Sequence, residues 1–368
     1  MRHVNEHITV IAEAGVNHDG DLGRALALVD VAAEAGADVV KFQTFRPAAL
    51  ASRHAPRAGY QVRNDTARQD DSQLAMLQRL ALGDNDHFRL REHCRAHGIE
   101  FLSSPFDASS ARFLIEDMAL PRLKLGSGEL TNAPLLLQIA RSARPLILST
   151  GMATPKEIRQ ALGVLAFGYL NEKTPSSGPA FAAAFVDPAG QQALRERVTL
   201  LHCTSEYPAP FHDVNLRAMD HLRDTFGLPV GFSDHTPGIH IPIAAAARGA
   251  RMIEKHFTLD RSLPGPDHRA SLEPLELRAM VEGIRQVEQA LGDGEKRVTE
   301  SEWKNRAIAR KSLVAARDIC AGEAFDGDNL TAKRPGDGLA PVHYWALLGR
   351  LAGRDYAADE AIDGEELT

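Results

Sequence analysis

Short apolar runs alternate with longer amphipathic runs along most of this 368-residue chain. The short runs are typical of strands, and apolar residues three and four positions apart are typical of helices. The pattern predicts eight strand–helix units, with strands at residues 8–15, 37–45, 99–107, 122–129, 145–151, 198–208, 229–236 and 251–260. Strands that alternate with amphipathic helices form parallel sheets. Eight units in about 290 residues predict a closed (β/α)8 TIM barrel.

An open, doubly wound sheet is the main structural alternative. Such sheets usually carry a glycine-rich GxGxxG loop after the first strand, whereas the corresponding loop here reads GVNHDGD. Two connections in the barrel are long, at residues 46–83 and 168–196. Long loops are often functional. We expect the first, which is polar and irregular, to contact substrate and the second to be a surface insertion.

The pattern changes after Leu291. Residues 292–310 are charged and predict a linker, part of it helical. Residues 311–368 contain short β-like pieces separated by Gly, Asp and Pro turns. The sequence therefore predicts a catalytic barrel at residues 1–291, a linker at 292–310 and a small β-rich domain at 311–368. So small a domain is near the lower limit for independent folding, and we expect it to dock on another surface.

Composition and charge limit the classes of molecule that the chain is expected to bind. The formal net charge is -7 and charged residues make up 25% of the chain, which argues against nucleic-acid and anionic-membrane surfaces because both need basic patches. We find no apolar run long enough for a membrane span or a signal peptide. Cys94, Cys203 and Cys320 are too scattered for a disulfide framework or a CxxC metal site. We expect a cytoplasmic protein.

Polar residues gather where the predicted strands end, which is where TIM barrels build active sites. In chain order they are Glu13, Asn17, His18, Lys41, Gln43, Ser103, Ser104, Lys124, Ser127, Glu129, Ser149, Thr150, His202, Thr204, Ser205, Tyr207, Ser233, Asp234, His235, Glu254 and His256. A single strand lysine is more often a structural ion-pair partner than a ligand. The presence of such residues at the ends of all eight predicted strands favours an active site.

The residue types indicate anion binding. Lys41 and Lys124 suit a phosphate and a carboxylate, which attract cations and several hydrogen-bond donors. The donors would be hydroxyl groups of Ser104, Ser127, Ser149 and Ser233. Some of these serines could instead cap the helices that follow.

Histidines and carboxylates at the strand ends leave alternatives open. His235 and His256 could share a divalent ion, or they could be hydrogen-bonded histidines without a metal. Candidate partners for sugar hydroxyls, or acid–base groups, are Glu13, Glu129, Asp234 and Asp267. His202, in the apolar LLHC segment, is expected to be a core histidine.

Ordered motifs along the chain resemble one enzyme family. They are IAEAGVNHDG, VVKFQTF, SSPFD, KLGSGE, LSTGMAT, LLHCTSEYPAPF, GFSDHT, IEKHFTLD and PGPDHRASLEP. Together they resemble the N-acetylneuraminate (sialic acid) synthases, which include the legionaminic acid synthases. The segment RKSLVAARDICAGEAF and the later TAKRPGDGLAP resemble the antifreeze-like (SAF) domain of that family.

The resemblance implies a reaction and a site. Phosphoenolpyruvate would condense with an N-acylated mannosamine and water to give a nine-carbon sialic-type acid and phosphate. Phosphoenolpyruvate would be held by Lys41, Ser104, Lys124, Ser127, Ser149, Ser205 and Ser233. His235 and His256 would bind a divalent metal (Mn2+, Co2+ or Mg2+), with Glu13 beside the reacting carbons. The amino sugar would contact Gln43, Tyr60, Glu129, Tyr207, Asp267 and Arg334.

The family further implies a domain-swapped homodimer, in which Arg334 reaches the acyl group of a sugar in the partner barrel. The acceptor could be N-acetylmannosamine or 2,4-diacetamido-2,4,6-trideoxymannose. Two other readings are a Schiff-base aldolase that uses Lys41 or Lys124, and a non-catalytic sugar-binding protein.

The eighth predicted strand, RMIEKHFTLD, places three ionisable residues in succession. Alternation along a strand would direct Glu254 and His256 into the barrel and Lys255 towards the helices. Burying a charge is costly unless it is paired. We therefore expect Lys255 to have a carboxylate partner or a route to solvent.

Overall fold

The computed structural model describes residues 7–64, 72–170 and 178–368. The chain divides into two compact units, Met1–Asp293 and Gly294–Thr368. The described part of the first unit contains an eight-stranded parallel sheet. Its strands are β1 Thr9–Gly15, β2 Val39–Thr44, β3 Glu100–Pro105, β4 Leu123–Leu125, β5 Leu146–Ser149, β6 Val198–Cys203, β7 Val230–Asp234 and β8 Met252–His256.

The strand order is β3-β2-β1-β8-β7-β6-β5-β4. Each strand therefore lies beside its neighbour in sequence, β1 pairs with β8, and β3 packs beside β4. This order confirms the predicted (β/α)8 barrel. The strands are shorter than predicted because the polar ends leave the ladder; Ser127–Glu129, for example, forms a 3-10 turn after the three residues of β4.

Helices surround the sheet. In the described part of the first unit they are α1 Leu22–Glu34, α2 Pro47–Leu50, α3 Gly59–Asn64, α4 Gln73–Leu80, α5 Asp84–Ala96, α6 Ala108–Arg112, α7 Ala133–Arg141, α8 Pro155–Leu170, α9 Gly178–Val186, α10 Pro188–Arg197, α11 Ala218–Phe226, α12 His240–Ala247 and α13 Pro274–Ala290. Several begin at side-chain caps; Asp21, for example, accepts a hydrogen bond from the Arg24 amide and so satisfies a free N–H at the start of α1. No described helix has the length and apolarity needed to cross a membrane.

The two long connections are more ordered than predicted. The first, expected to be irregular, forms α2, α3 and α4, with residues 65–71 outside the described ranges. The second, expected to be a surface insertion, forms α9 and α10 after residues 171–177, which are also outside those ranges. Ala184 and Phe185 of α9 are buried, and α9 packs on α8. Its small and apolar residues extend the outer layer.

The barrel interior is layered. Ile11, Val39, Leu102, Ile147 and Leu201 form a buried apolar cluster inside the sheet. Side chains alternate along a strand, so the next inward-facing position lies two residues further towards the carboxyl end. Those positions carry Glu13, Lys41, Ser104, Ser149 and Cys203. An apolar floor therefore lies directly beneath a polar layer.

The second unit has its own core. Strands β9 Ser312–Ala315 and β10 Leu330–Lys333 pair antiparallel, and the helices are α14 Glu300–Ala309 and α15 Tyr344–Leu347. The core contains Leu313, Ala315, Ile319, Phe325, Leu330, Leu347, Ala352, Tyr356 and Ile362. Helix α14 lies within the predicted linker and starts at a capping box formed by Thr299 and Glu302.

Lys255 has the carboxylate partner that the sequence required. Its side chain is fully buried, and its Nζ lies 2.5 Å from Oδ2 of Asp234, the residue opposite it on β7. The ammonium also donates to the Thr236 carbonyl. The pair lies on the outer face of the sheet, so Asp234, a sequence candidate for sugar or acid–base chemistry, is instead engaged by Lys255.

Replacing Lys255 with methionine should lower the free energy of unfolding by about 3–5 kcal/mol, because Asp234 would be left buried and unpaired. Urea unfolding followed by circular dichroism would measure the loss. Lys156→Met, at an exposed position, is the control and should be close to neutral. Asp234→Asn in the Lys255→Met background should restore part of the stability. Equal stability of the two lysine variants would contradict a structural role for the pair.

Candidate active site

A polar cavity of about 420 Å³ opens at the carboxyl ends of the barrel strands. Thirteen of the residues predicted for the site line it: Glu13, Lys41, Gln43, Tyr60, Ser104, Lys124, Ser127, Ser149, Ser205, Tyr207, Ser233, His235 and His256. The strand ends thus bring together residues that are as much as 243 positions apart in the chain (256 − 13).

Four buried charges form a network at the base of this cavity. Lys41 Nζ lies 2.5 Å from Glu13 Oε2 and 3.6 Å from Glu254 Oε2. Lys124 Nζ lies 2.9 Å from Glu254 Oε1, which also accepts a hydrogen bond of 2.8 Å from Ser233 Oγ. Glu254 therefore bridges the two lysines. Sequence analysis placed Glu254 only among the strand-end residues that face the barrel interior, since its bridging position depends on the closed barrel.

The network separates the pKa values of its two carboxylates. Burial raises the pKa of Glu13, and Lys41 only partly offsets it, while the neighbouring Glu254 raises it further. Burial acts on Glu254 in the same direction, but Lys124 and Lys41 outweigh it and hold its pKa well below the usual range. Burial alone would lower the pKa of Lys124, yet Glu254 and Glu13 raise it. Glu254 is thus a fixed anion and Lys124 a fixed cation.

Hydroxyl groups converge beside Lys124. Ser127 Oγ accepts a hydrogen bond of 2.9 Å from the Gly151 amide and lies 3.1 Å from Cys203 Sγ. A Cβ at Gly151 would lie 2.4 Å from Ser205 Oγ, so only glycine allows this approach. Ser149 Oγ is buried and has no hydrogen-bond partner among the described residues. These groups suit a ligand with several acceptor oxygens.

Two histidines face each other above the network. Their ring centroids are 5.7 Å apart. His235 Nδ1 donates to the Thr204 carbonyl over 2.6 Å, which leaves Nε2 with a free lone pair, and burial lowers its pKa to about 4. Burial, reinforced by His235, lowers the pKa of His256 well below its usual value. Both rings are therefore neutral, the state in which imidazole binds metals.

A second cavity, of about 500 Å³, adjoins the first and shares Gln43, Tyr60, Tyr207 and His256 with it. Its polar end holds the two remaining barrel residues of the predicted site, Glu129 and Asp267. Part of its lining is an apolar wall formed by Val16, Leu50, Met76, Leu77, Leu80 and Phe106, and Phe106 also lines the first cavity. Ser52, Gln61 and Gln73 add polar groups to the lining. Sequence reasoning missed this wall, because Met76, Leu77 and Leu80 belong to a helix in a connection predicted to be irregular.

Asp267 is the unusual carboxyl group of the second cavity. Burial, and then the charge of Glu13, raise its pKa to about 7. Its Oδ2 lies 4.0 Å from His256 Nδ1, a buried atom with no hydrogen-bond partner among the described residues. A carboxyl group with a pKa near neutrality can both donate and accept a proton.

Aromatic rings and helix α3 cover the junction of the two cavities. Tyr207 lies between Tyr60 and His235, with centroid distances of 4.7 and 4.0 Å. Asn64, at the end of α3, donates to the carbonyls of Tyr207 and Pro266 over 3.2 and 2.9 Å. Helix α3 is thereby attached to the loops after β6 and β8.

Some polar strand-end residues have structural roles. Asn17 donates to the Phe257 carbonyl and to Ser271 Oγ over 2.8 and 2.9 Å, and so fixes the loop after β8. His18 accepts from the Gly20 amide. His202 is half-buried, and its Nε2 donates to the Val214 carbonyl over 2.7 Å. Arg334 belongs to the second unit, where it is exposed and its Nε donates to the Ala309 carbonyl.

A polar cavity with buried cations at this end of the barrel defines a (β/α)8 enzyme that acts on small anionic molecules. The NeuB family profile matches residues 28–296 and the SAF domain profile matches residues 310–368. The chain belongs to the NeuB family, which confirms the resemblance found in the sequence.

Named relatives agree with this assignment. The chain is 48% identical to the N,N'-diacetyllegionaminic acid synthase of Campylobacter jejuni, over 93% of this chain and 95% of the relative. It is 44% identical to the enzyme of that name from Legionella pneumophila, over 92% and 89%. The crystal structure of an N-acetylneuraminic acid synthetase from Leptospira borgpetersenii, in complex with citrate, has a TM-score of 0.64 at 32% identity, over 82% of this chain and 90% of that one.

Replacing Glu254 with glutamine should remove the fixed anion and keep the side-chain shape. Two buried lysines would then share one carboxylate, so the ligand-free melting temperature should fall. Inorganic phosphate should raise the melting temperature more than in the wild type, because Glu254 would no longer compete for the lysines. Glu206→Gln is the control, since Glu206 lines the same cavity but pairs with Arg63. An unchanged phosphate shift in Glu254→Gln would show that Glu254 does not control the anion site.

Proposed function

We propose that this protein is a nonulosonate synthase. It condenses phosphoenolpyruvate with the open-chain aldehyde of an N-acylated mannosamine and water, and releases phosphate. The observation that carries the proposal is the pairing of a lysine- and serine-lined anion site with two neutral histidines at one barrel mouth. Membership of the NeuB family and the names of the closely similar relatives support it. The cytoplasmic location expected from the sequence stays a prediction.

In this proposal Lys41 and Lys124 hold the phosphate and carboxylate of phosphoenolpyruvate. Further hydrogen bonds come from Ser104, Ser127, Ser149, Ser205 and Ser233. The substrate oxygens take over donors that Glu254 and Glu13 now occupy, and Ser149 gains the partner that its buried hydroxyl lacks among the described residues. Orientation by several fixed donors brings the enol carbon towards the aldehyde.

The condensation needs one proton donor and one proton acceptor. The enol carbon bonds to the aldehyde carbon, and the aldehyde oxygen must gain a proton. Water adds to the carbon that carries the phosphate and loses one proton to a base. The hydroxyl group that remains on this carbon loses the second proton as the C–O bond to phosphate breaks, which forms the keto group, and the departing phosphate takes up that proton. Glu13, with its raised pKa, is placed in this proposal to accept the proton of water. Asp267, with a pKa of about 7, supplies or accepts protons at the sugar.

The histidines fit a divalent metal. His256 Nδ1 is a buried donor atom without a hydrogen-bond partner among the described residues, and the tautomer of His235 leaves Nε2 free. We propose that His235 and His256 hold Mn2+, Co2+ or Mg2+. A bound metal would polarise the aldehyde oxygen as a Lewis acid. The residues themselves orient the acceptor beside Tyr207, which stacks on His235.

The electrostatics of the lysines argue against the Schiff-base alternative. A lysine that attacks a carbonyl must be neutral, which requires a lowered pKa. Glu254 and Glu13 instead raise the pKa of Lys124, and Lys41 lies 2.5 Å from the carboxylate of Glu13. Both ammonium groups are therefore suited to binding anions.

The second cavity supports a particular acceptor, 2,4-diacetamido-2,4,6-trideoxymannose. Gln43, Glu129 and Asp267 would bind its hydroxyl and amide groups, while the apolar wall would contact its methyl groups. N-acetylmannosamine would place a hydroxyl against these apolar side chains. A mismatch of this kind in an apolar pocket is worth about 1–3 kcal/mol, or roughly 10–200-fold in kcat/KM. The two legionaminic acid synthases among the relatives point to the same sugar.

Phosphate release from phosphoenolpyruvate should require the acceptor sugar, with kcat/KM about 10–200-fold higher for the diacetamido sugar than for N-acetylmannosamine. Mass spectrometry should find the nine-carbon acid. Leu50→Gln, at the apolar wall, should reduce this preference; Leu275→Gln, at a position 80% exposed, should leave it unchanged. Phosphate release without any sugar, or borohydride trapping of pyruvate on the protein, would refute the proposed reaction.

We also propose the domain-swapped homodimer. The small second unit exposes several large apolar side chains: Trp303, Ile308, Val342, Trp345 and Leu351 are 57 to 76% exposed. Large contiguous apolar patches mark interaction surfaces, and in this proposal these side chains form part of one. Arg334 is also exposed, and in this proposal it reaches the acyl group of a sugar in the partner barrel.

Mixing an impaired variant with an inactive one should test the swap. Arg334→Ala should raise the KM of the sugar, and Lys124→Ala should abolish turnover. If the second unit serves the partner barrel, a mixed dimer has one barrel with intact Lys124 and a partner arginine, so co-refolded mixtures should recover part of the activity. Self-mixed controls should not recover. No recovery in mixed dimers verified by mass would count against the swap.

A further inference from the structure

A cluster of metal-binding side chains lies on the outer helical layer. His93 lies in the last turn of α5 and His97 is the residue that caps its carboxyl end, so the two side chains, four positions apart, lie on the same side of the helix. Their ring centroids are 4.5 Å apart. Asp30, on the neighbouring helix α1, places Oδ1 2.6 Å from His93 Nε2 and 3.4 Å from His97 Nε2. One ligand atom from each residue lies within 4.8 Å of the other two.

We propose that Asp30, His93 and His97 form a second divalent-metal site, which takes Zn2+. Two imidazoles and a carboxylate are a ligand set typical of zinc, and a water molecule would complete the tetrahedron. Metal–ligand bonds of about 2.0–2.1 Å separate neighbouring ligand atoms by about 3.3 Å in a tetrahedron. The Asp30–His97 distance already matches this value. The Asp30 oxygen need move only about 0.7 Å from His93 to match it there as well.

The helices hold the three ligands on a firm base. Helices α1 and α5 pack side by side; Val29 and Ala32 of α1 and Leu90 and Cys94 of α5 are buried. The three ligand side chains remain 30 to 42% exposed, so an ion can enter from solvent without opening the core. A site built on packed helices is positioned more firmly than one on loops.

The location indicates a structural role. Asp30 lies near the end of α1, which leads into β2, and His93 lies near the end of α5, which leads into β3. Both helix ends therefore approach the amino ends of the strands, opposite the active-site cavity. Features on that face of a TIM barrel generally serve stability. The bound ion would join α1 to α5 across the outer layer, and this role is independent of the proposed reaction.

Equilibrium dialysis of the full chain against Zn2+ would test the site. The catalytic histidines provide another site, so we expect two equivalents in the wild type. His235→Gln/His256→Gln should retain one equivalent, and adding His93→Gln/His97→Gln to it should remove that one or weaken its binding at least tenfold. His221→Gln, at an exposed position on another helix, is the control and should change nothing. Binding that persists unchanged in the quadruple variant would overturn the proposal.

A spectroscopic measurement separates ligand loss from misfolding. Co2+ in the His235→Gln/His256→Gln background should give the visible absorption of a tetrahedral site, and Asp30→Asn should reduce its intensity or affinity. Zn2+ should raise the melting temperature of the His235→Gln/His256→Gln variant but not of the quadruple variant. The metal-free melting temperatures of these two should differ little. Absence of any Zn2+ or Co2+ binding in the His235→Gln/His256→Gln variant would also overturn the proposal.

Discussion

The ion pairs inside the barrel are the constraint on which the site depends. Glu254 bridges Lys41 and Lys124, and Glu13 holds Lys41 from the other side. Without these pairs, two ammonium groups could not remain charged in a buried place. The same pairs keep two cations at the base of the cavity for an anion, and Glu254 adds to the effect of burial in raising the pKa of Glu13. The ion pairs that stabilise the ligand-free site thus also prepare it to bind an anionic substrate.

Much of the fold was readable from the sequence because its signals are local. Each barrel strand is a short apolar run, and the polar residue that ends it marks the mouth. The ends of the strands were less readable, since Ser127 and Glu129 continue the pattern of β4 but turn away in a 3-10 turn. Helices α3 and α9 were missed because their sequences are polar and alanine-rich, respectively. Helix α4, which carries Met76, Leu77 and Leu80, was missed because it lies in a connection predicted to be irregular.

Most residues of the site could be predicted from the sequence, but the contacts between them could not. Spacing directed Glu254 and Lys255 to opposite faces, yet only the closed barrel shows that Glu254 bridges two lysines and that Asp234 is engaged by Lys255. The spacing of His93 and His97 is visible in the sequence. Asp30 is 63 positions from His93, and only helix packing joins them. Long-range contacts, unlike periodicity, leave little trace in a single sequence.

The Lys255–Asp234 pair has a further consequence for how the barrel assembles. Because side chains alternate, sliding β8 by one residue would turn Lys255 into the lumen and direct Glu254 and His256 towards the apolar helical layer. Every charge would then lose its partner at once. The alternating charges therefore make a misaligned last strand less stable, by a larger free energy than apolar residues alone would.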